Sequence, residues 1–321
     1  MKVIAGDIGG TNARLAIIQG DKILFEKHYP SRDFGKFAGV FAAFVKDVPM
    51  PLPGCACLAV AGVVKGHRVE ATNIPWIIDG PDLKKQFGLE KLRLINDFEA
   101  AAWGITVLTK DNLVQIGEGK PVSNRPKAIL GAGTGLGQAI LIPGSKGYRV
   151  LPTEGGHVDF APGNEQEIEL LRYLMQEFAH VSVERVLSGP GLINIYKFLL
   201  QGHDPEEGVF SMRAVKEEDQ PAHITRHAIK GTDHLCENTV RMFCRIYGAE
   251  AGNLALTCLA SGGVYIAGGI ARKILLILSR GGFRKAFETK GRMEKVLKHI
   301  PTYVVTSPQL GLFGAALIAR R

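Results

Sequence analysis

Repetition is the feature that most constrains this chain. Met1 to Ala5 is a short apolar strand, Gly6-Asp7-Ile8-Gly9-Gly10-Thr11-Asn12 a turn, and Ala13 to Ile18 a returning strand. Much later, Lys127 to Gly131 runs into Gly131-Ala132-Gly133-Thr134-Gly135-Leu136-Gly137, and Gln138 to Ile142 returns. Each is a strand–Gly turn–strand hairpin with a Thr in the turn. Neither is the strand–turn–helix of a dinucleotide fingerprint, and no GxxxxGK[ST] occurs. A tight turn of backbone N–H groups suits a phosphate, with the Thr11 hydroxyl and Asn12 amide beside it. Asp7 at its mouth suits Mg²⁺ held through water. One such turn would equally be an ordinary hairpin. Two, at the heads of two successive segments, predict a duplicated α/β fold with nucleotide held between the halves.

Leu94-Ile95-Asn96-Asp97-Phe98-Glu99-Ala100 reads as a buried strand that passes at once into a helix. Asn96 and Glu99 have capping-box spacing. Asn96 and Asp97 then lie at the carboxyl end of a strand, the edge where open α/β sheets bind ligands. A carboxylate there can take a proton from a substrate hydroxyl. A cap alone would also account for the pair.

Further motifs follow in order. Pro152-Thr153-Glu154-Gly155-Gly156-His157-Val158-Asp159 is polar, and its glycines argue against a helix that would give Glu154 and His157 metal-ligand spacing. A loop turning both toward a polyhydroxylated ligand is the functional reading. Glu184 stands just before a Gly-Pro-Gly break; alone it would be a surface partner of Arg185. Val264 to Ala267, Gly268-Gly269 and Ile270 to Leu278 form strand, turn and helix, with close backbone approach suited to a nucleoside. Helices are also expected over Asp33 to Val48, Ala222 to Tyr247, Ala249 to Ala260 and Gln309 to Ile318. Trp76, in a loop from Thr72 to Trp76, is a candidate sugar platform or plain packing. The polar stretch Thr109 to Arg125 marks a domain boundary.

Bulk properties exclude several classes. The 321 residues carry a net charge of +8, 46% hydrophobic and 22% charged residues, a globular composition. The basic residues are scattered, without the clustered stripe of a nucleic-acid binder. No apolar run reaches membrane-spanning length. The five cysteines offer no paired Cys-x-x-Cys, and reduced cytoplasmic thiols are expected. The chain enters its first strand without a signal-peptide pattern.

Taken together, Gly6 to Leu15, Leu94 to Phe98, Gly131 to Gly137, Glu154 to His157, Glu184 to Gly189 and Ile266 to Ile270 resemble the bacterial ATP-dependent glucokinase family, within the sugar kinase–actin–Hsp70 superfamily. The resemblance spans nearly the whole chain. It implies an α/β protein of two ribonuclease-H-like (actin-like ATPase) domains with a central cleft. The small domain would be 1–109 plus 301–321 and the large one 110–300, with the last helix returning to the small domain. Glucose and ATP would be the substrates and Mg²⁺ the cofactor. Asp97 looks like the catalytic base, and Asn96, Glu154, His157 and Glu184 like the glucose set. Gly6, Asp7, Ile8, Gly9, Gly10, Thr11 and Asn12 resemble one phosphate loop, and Gly133, Thr134 and Gly135 the other. Gly268 and Gly269 resemble the adenosine contact. The family implies a cytoplasmic homodimer. A related repressor/kinase family follows its Glu-x-Gly-His stretch with a Cys-rich zinc motif; here Val158-Asp159-Phe160-Ala161-Pro162-Gly163 follows, so no structural zinc is expected. No DNA-binding segment precedes the first strand, which speaks against a repressor.

The rivals are a kinase for another hexose, a non-catalytic sugar-responsive relative, and an actin-like filament or chaperone. An intact Asn96-Asp97 argues against the second, since a sensor needs no base. The Glu154, His157 and Glu184 set argues against the third. The absence of a Rossmann fingerprint opening a βαβ unit argues against a dehydrogenase.

Overall fold

The computed structural model of the chain describes residues 1–72, 74–145, 147–201, 215–280 and 282–321. Asn73, in the loop read from Thr72 to Trp76, lies outside them, as do 202–214, most of the charged stretch before Pro221. The described residues form two compact units. One comprises Met1–Thr109, Val150–Pro152 and Ser307–Arg321, the other Lys110–Arg149 and Thr153–Thr306.

The first unit begins with β1 (Lys2–Ile8), β2 (Asn12–Gln19) and β3 (Lys22–Pro30), then α1 (Phe37–Asp47) and β4 (Cys55–Val60). A small antiparallel sheet of β5 (Gly62–Lys65), β6 (Arg68–Ala71) and β7 (Ile77–Asp79) follows. Then come α2 (Gly80–Phe87), β8 (Lys91–Asn96) and α3 (Asp97–Ile105). The main sheet has the order β3-β2-β1-β4-β8. β1 to β3 are antiparallel; β4 and β8 run parallel to β1. The central strands bury both faces, as parallel strands in α/β folds do. Strand alternation divides the core. Ile4, Ile8, Leu15 and Ile17 pack with Phe37, Phe41 and Phe44 of α1. Val3, Ala5, Ala16 and Ala59 pack on the other face with Ala100 and Trp103 of α3. The same alternation sends Asp7 to the α3 face. Trp76 is packing: it is 2% exposed, tilted against Phe37 at 6.0 Å, and its indole N–H donates to the Phe34 carbonyl at 3.2 Å. It is no sugar platform.

The second unit repeats the plan. β9 (Leu113–Ile116) lies inside the stretch read as a boundary, followed by β10 (Lys127–Ala132), β11 (Leu136–Gly144) and β12 (Gly147–Thr153), whose Val150–Pro152 are grouped with the first unit. The helices α4 (Glu165–Leu174), α5 (Gly189–Leu200), α6 (Gln220–Lys230) and α7 (His234–Cys258) lead to β13 (Val264–Ala267). Short α8 (Gly269–Lys273), α9 (Leu275–Arg280), α10 (Gly282–Glu288) and α11 (Glu294–Lys298) precede β14 (Thr302–Val305). The sheet order β12-β11-β10-β13-β14-β9 matches that of the first unit, with β9 added as an antiparallel edge. The chain closes with α12 (Leu310–Ala319), apolar on all sides and buried against the α3 face of the first unit.

Three boundaries differ from the sequence reading. β14 is hydrogen-bonded to β13 and β9, so the segment grouped with the first unit starts at Ser307, not at residue 301. The helical run expected from Ile270 to Leu278 is broken at Ile274, which leaves helical geometry. The long helical region breaks at Gly231, not around Gly248. Gly231 adopts the left-handed conformation that ends α6, and the Asp233 carboxylate caps α7 by accepting the Cys236 N–H at 2.9 Å. Gly248 stays helical because α10 crosses there: a Cβ would lie 2.0 Å from the Phe283 carbonyl oxygen. Among the described residues no helix is long and apolar enough to cross a membrane, and the five cysteines are free thiols.

Candidate functional site

In the first unit the site is assembled at the carboxyl ends of β1, β4 and β8. Asn96 caps α3: its side-chain oxygen accepts the N–H groups of Phe98 at 2.8 Å and Glu99 at 3.2 Å. The Glu99 carboxylate accepts from the Asn96 backbone in return, completing the capping box. The Asn96 amide donates to the Gly62 carbonyl at 3.2 Å. Asn96 is therefore largely occupied by structure, and Asp97 begins α3, half-buried. Its carboxylate accepts the Phe98 N–H at 2.9 Å.

Asp7 faces the same region. Its carboxyl is pushed up to about 6, chiefly by burial and next by the negative charge of Asp97, against the pull of Arg14 and His28. Arg14 and His28 stand beside Asp7 in register across β2 and β3. Arg14 donates to the Pro308 carbonyl at 2.8 Å and pairs with Glu26 at 3.4 Å, and His28 meets Glu26 at 3.0 Å. Sequence reading missed this charged row, although strand alternation on β2 and β3 would have signalled it. The adjoining turn is held by Gly9 N–H to Asn12 O at 2.9 Å, Ser31 N–H to Thr11 O at 2.9 Å, and Ser31 Oγ to Gly9 O at 2.9 Å. Among the described residues nothing takes the Gly10 and Thr11 N–H groups, which leaves them for an anion.

The second unit holds the remaining predicted residues. The turn after β10 is closed by Gly133 N–H to Gly135 O at 2.8 Å and by Gly189 N–H to Gly133 O at 2.8 Å. Thr134 is exposed. Glu184 is no partner of Arg185 here: one carboxylate oxygen accepts the Leu136 N–H at 2.7 Å. A carboxylate thus takes one donor of the turn read as a phosphate loop, leaving Thr134 and Gly135 N–H. Glu154 precedes and His157 ends a one-turn 3-10 helix, both well exposed, with carboxylate and imidazole 3.8 Å apart. The turn can sit there only because Gly156 has no side chain, since a Cβ would lie 2.2 Å from the Leu136 carbonyl oxygen. Gly268 and Gly269 follow β13. α8 is a single short helix, so what they offer is close backbone approach and not a helix dipole. The structure thus puts Asp7, Asn96 and Asp97 at one edge of the same sheet, with the charge of Asp97 felt at Asp7, in one unit, and Glu184 onto the Gly133–Leu136 turn in the other.

Comparison with known proteins decides the family. The sequence profile described as Glucokinase matches residues 4–321. The chain is 42% identical to a glucokinase of Nostoc punctiforme, covering 99% of each. It is 40% identical to one of Cronobacter sakazakii, covering 99% of this chain and 97% of the relative. The chain belongs to the glucokinase family. A crystal structure of glucokinase from an Antarctic psychrotroph superposes with a TM-score of 0.85 at 34% identity, covering 99% of this chain and 98% of that one. The glucokinase family fold, with its repeated sheets, is therefore the fold of this chain.

Proposed function

We propose that this chain is an ATP-dependent glucokinase that transfers the γ-phosphoryl group of ATP to the 6-hydroxyl of glucose. The observation that carries the reading is Asp97: a carboxylate at the head of α3, at the carboxyl edge of the parallel strands, close enough to Asp7 to raise its pKa. Phosphoryl transfer passes through a loose transition state, so positioning and charge neutralisation dominate. Asp97 accepts the proton of the 6-hydroxyl as its oxygen attacks phosphorus, and ADP leaves. Glu154, His157 and the second oxygen of Glu184 hydrogen-bond sugar hydroxyls, with Asn96 holding the Asp97 end of the strand. The Gly10, Thr11, Thr134 and Gly135 N–H groups take phosphate oxygens, and Gly268-Gly269 meets the adenosine.

Two neighbouring carboxylates, one with a raised pKa, suit a divalent cation that Asp7 would hold through water. Mg²⁺ there would neutralise phosphate charge. Among the described residues no group of three or more His, Cys, Asp or Glu side chains is placed to hold a metal. Assembly as a homodimer belongs to the same proposal and is checked by light scattering on the purified protein.

Coupled ADP release with MgATP across a panel of hexoses, with a no-sugar control, tests the activity. Turnover with glucose well above other sugars is expected. A site built on hydroxyl hydrogen bonds should also reject deoxy analogues strongly. Turnover with another hexose alone would move the specificity, and none with any sugar would refute the reading.

A further inference from the structure

Under the turns of the second unit lies one face of α7. Tyr247 and Glu250 are one helical turn apart, so they point the same way. Tyr247 is fully buried, with Phe243 and Phe283 edge-on to its ring. The last registered pair of the β10–β13 ladder is Gly131 with Ala267, and beyond it the strands part. The Tyr247 hydroxyl stands at that fork. It accepts the Ala132 N–H at 3.0 Å and donates to the Ala267 carbonyl at 3.4 Å. The next residues are Gly133-Thr134-Gly135 on one side and Gly268-Gly269 on the other. One phenol thus holds both turns that the proposed function gives to the nucleotide.

Glu250 serves the other turn. It is buried, and its two oxygens accept from the Gln138 amide at 2.8 Å and the Asn253 amide at 3.1 Å. Asn253 in turn accepts from Lys290 at 2.6 Å. The Gln138 side-chain oxygen lies directly over Gly155, where a Cβ would be 2.3 Å away. The Gln138 carbonyl accepts the Thr153 hydroxyl at 3.1 Å, and that hydroxyl accepts the Gly155 N–H at 3.2 Å. The Glu154–His157 turn is therefore braced from Glu250 through Gln138. No part of this chain of contacts is surface-exposed charge, and a buried polar network of this kind persists only when each member is satisfied.

We propose that Tyr247 and Glu250 are positioning residues for two different substrates, Tyr247 for the nucleotide turns and Glu250, through Gln138, for the sugar turn. The assignment of turns to substrates rests on the function proposed above; the bracing itself does not. Tyr247→Phe keeps the ring and removes the hydroxyl. Glu250→Gln keeps the shape but sets an amide donor against a donor. The double variant Gln138→Glu/Glu250→Gln reverses donor and acceptor and restores the bond.

Amide hydrogen exchange read by mass spectrometry, together with separate KM values for ATP and glucose, tests this. Tyr247→Phe should speed exchange in 131–137 and raise the ATP KM by roughly 3- to 10-fold, the factor one lost hydrogen bond supplies, with the glucose KM unmoved. Glu250→Gln should speed exchange in 153–158 and raise the glucose KM by a similar factor, with the ATP KM unmoved and the double variant close to wild type. Both variants loosening both segments, moving both KM values together, or moving neither would overturn the division of labour. If the wild-type protein releases no ADP with any sugar, the proposed function fails, while the exchange pattern still decides the bracing.

Discussion

The turns after β1 and after β10 have the same topology and different chemistry. Each ends the central strand of its sheet, each is a Gly-rich hairpin with an exposed Thr, and each leaves two adjacent N–H groups unpaired among the described residues. The first is surrounded by charge from its own strands: Asp7, Arg14 and His28 form a row, and Asp97 adds a second carboxylate. The second has only Leu, Ala, Gly and Gln at its base. A charged neighbour, Glu184, arrives from a distant segment and spends an oxygen on the turn itself. Duplication of a fold preserved the path of the backbone but not the electrostatics. Under the proposed function, the repelling carboxylates beside the first turn are the ones assigned to a cation and to the base. The second turn carries no charged side chain of its own and is braced from below by Tyr247.

The largest expected effect breaks that comparison at the chemical end. Asp97→Asn should lower kcat by about 10²- to 10⁴-fold, the range of general base catalysis, with the fold intact by circular dichroism. Full activity would remove Asp97 from the base role. Next, Glu184→Ala uncovers the Leu136 N–H. A hydrogen bond to a charged group contributes about 1.5–3 kcal/mol, so the glucose KM should rise about 10-fold or more, and the 131–137 amides should exchange faster. An unchanged exchange rate would mean that Glu184 does not hold the turn.

A smaller effect separates the turns by pH. The Asp7 carboxyl has a folded value of about 6 against 3.8 for the free group. The native state therefore binds this proton more tightly, and its contribution to stability is present below pH 4 and lost as pH rises through 6. Asp7→Asn should raise stability at pH 7–8 by on the order of 1–2 kcal/mol, read as an increase in Tm that vanishes near pH 4. In the Asp97→Asn background the same window should move to lower pH, because one of the two causes is gone. A pH-independent gain would break the electrostatic account. The smallest effect is a control on the second turn. A Cβ on Gly133 meets nothing within 4 Å, so Gly133→Ala should stay within about 0.5 kcal/mol of wild-type stability. Gly135→Ala, whose Cβ would lie 2.4 Å from the Glu184 carboxylate, should lose more.

Features of short range were legible in the sequence. The two hairpins, the Asn96 cap, the strand–helix junction at Asp97 and the returning apolar helix all stand close to where the residues place them. A turn, a cap or a strand is set by backbone conformation and by neighbours within a few residues. Misreadings arose where one residue type serves two purposes. Gly248 looked like a helix end and is a crossing point; Gly231 was passed over and is the end. Trp76, open between platform and packing in the sequence, is core. Glu167, in the first turn of α4, accepts the Gly163 N–H at 2.7 Å and pairs with Arg245 at 2.7 Å, a long-range role that its place in the sequence conceals.

By itself the sequence determined a duplicated α/β chain, the family it resembles, and the residue types that carry its chemistry, because periodicity, turn composition and motif order are local properties. Tertiary structure decided which side chains those residues answer to. Asp7 feels the charge of Asp97, Glu184 meets Leu136, and Tyr247 and Glu250 bond to Ala132 and Gln138, each more than a hundred residues away in sequence. Such contacts depend on how helices and sheets pack, and packing is set by the shape of the whole core; no window of sequence contains it.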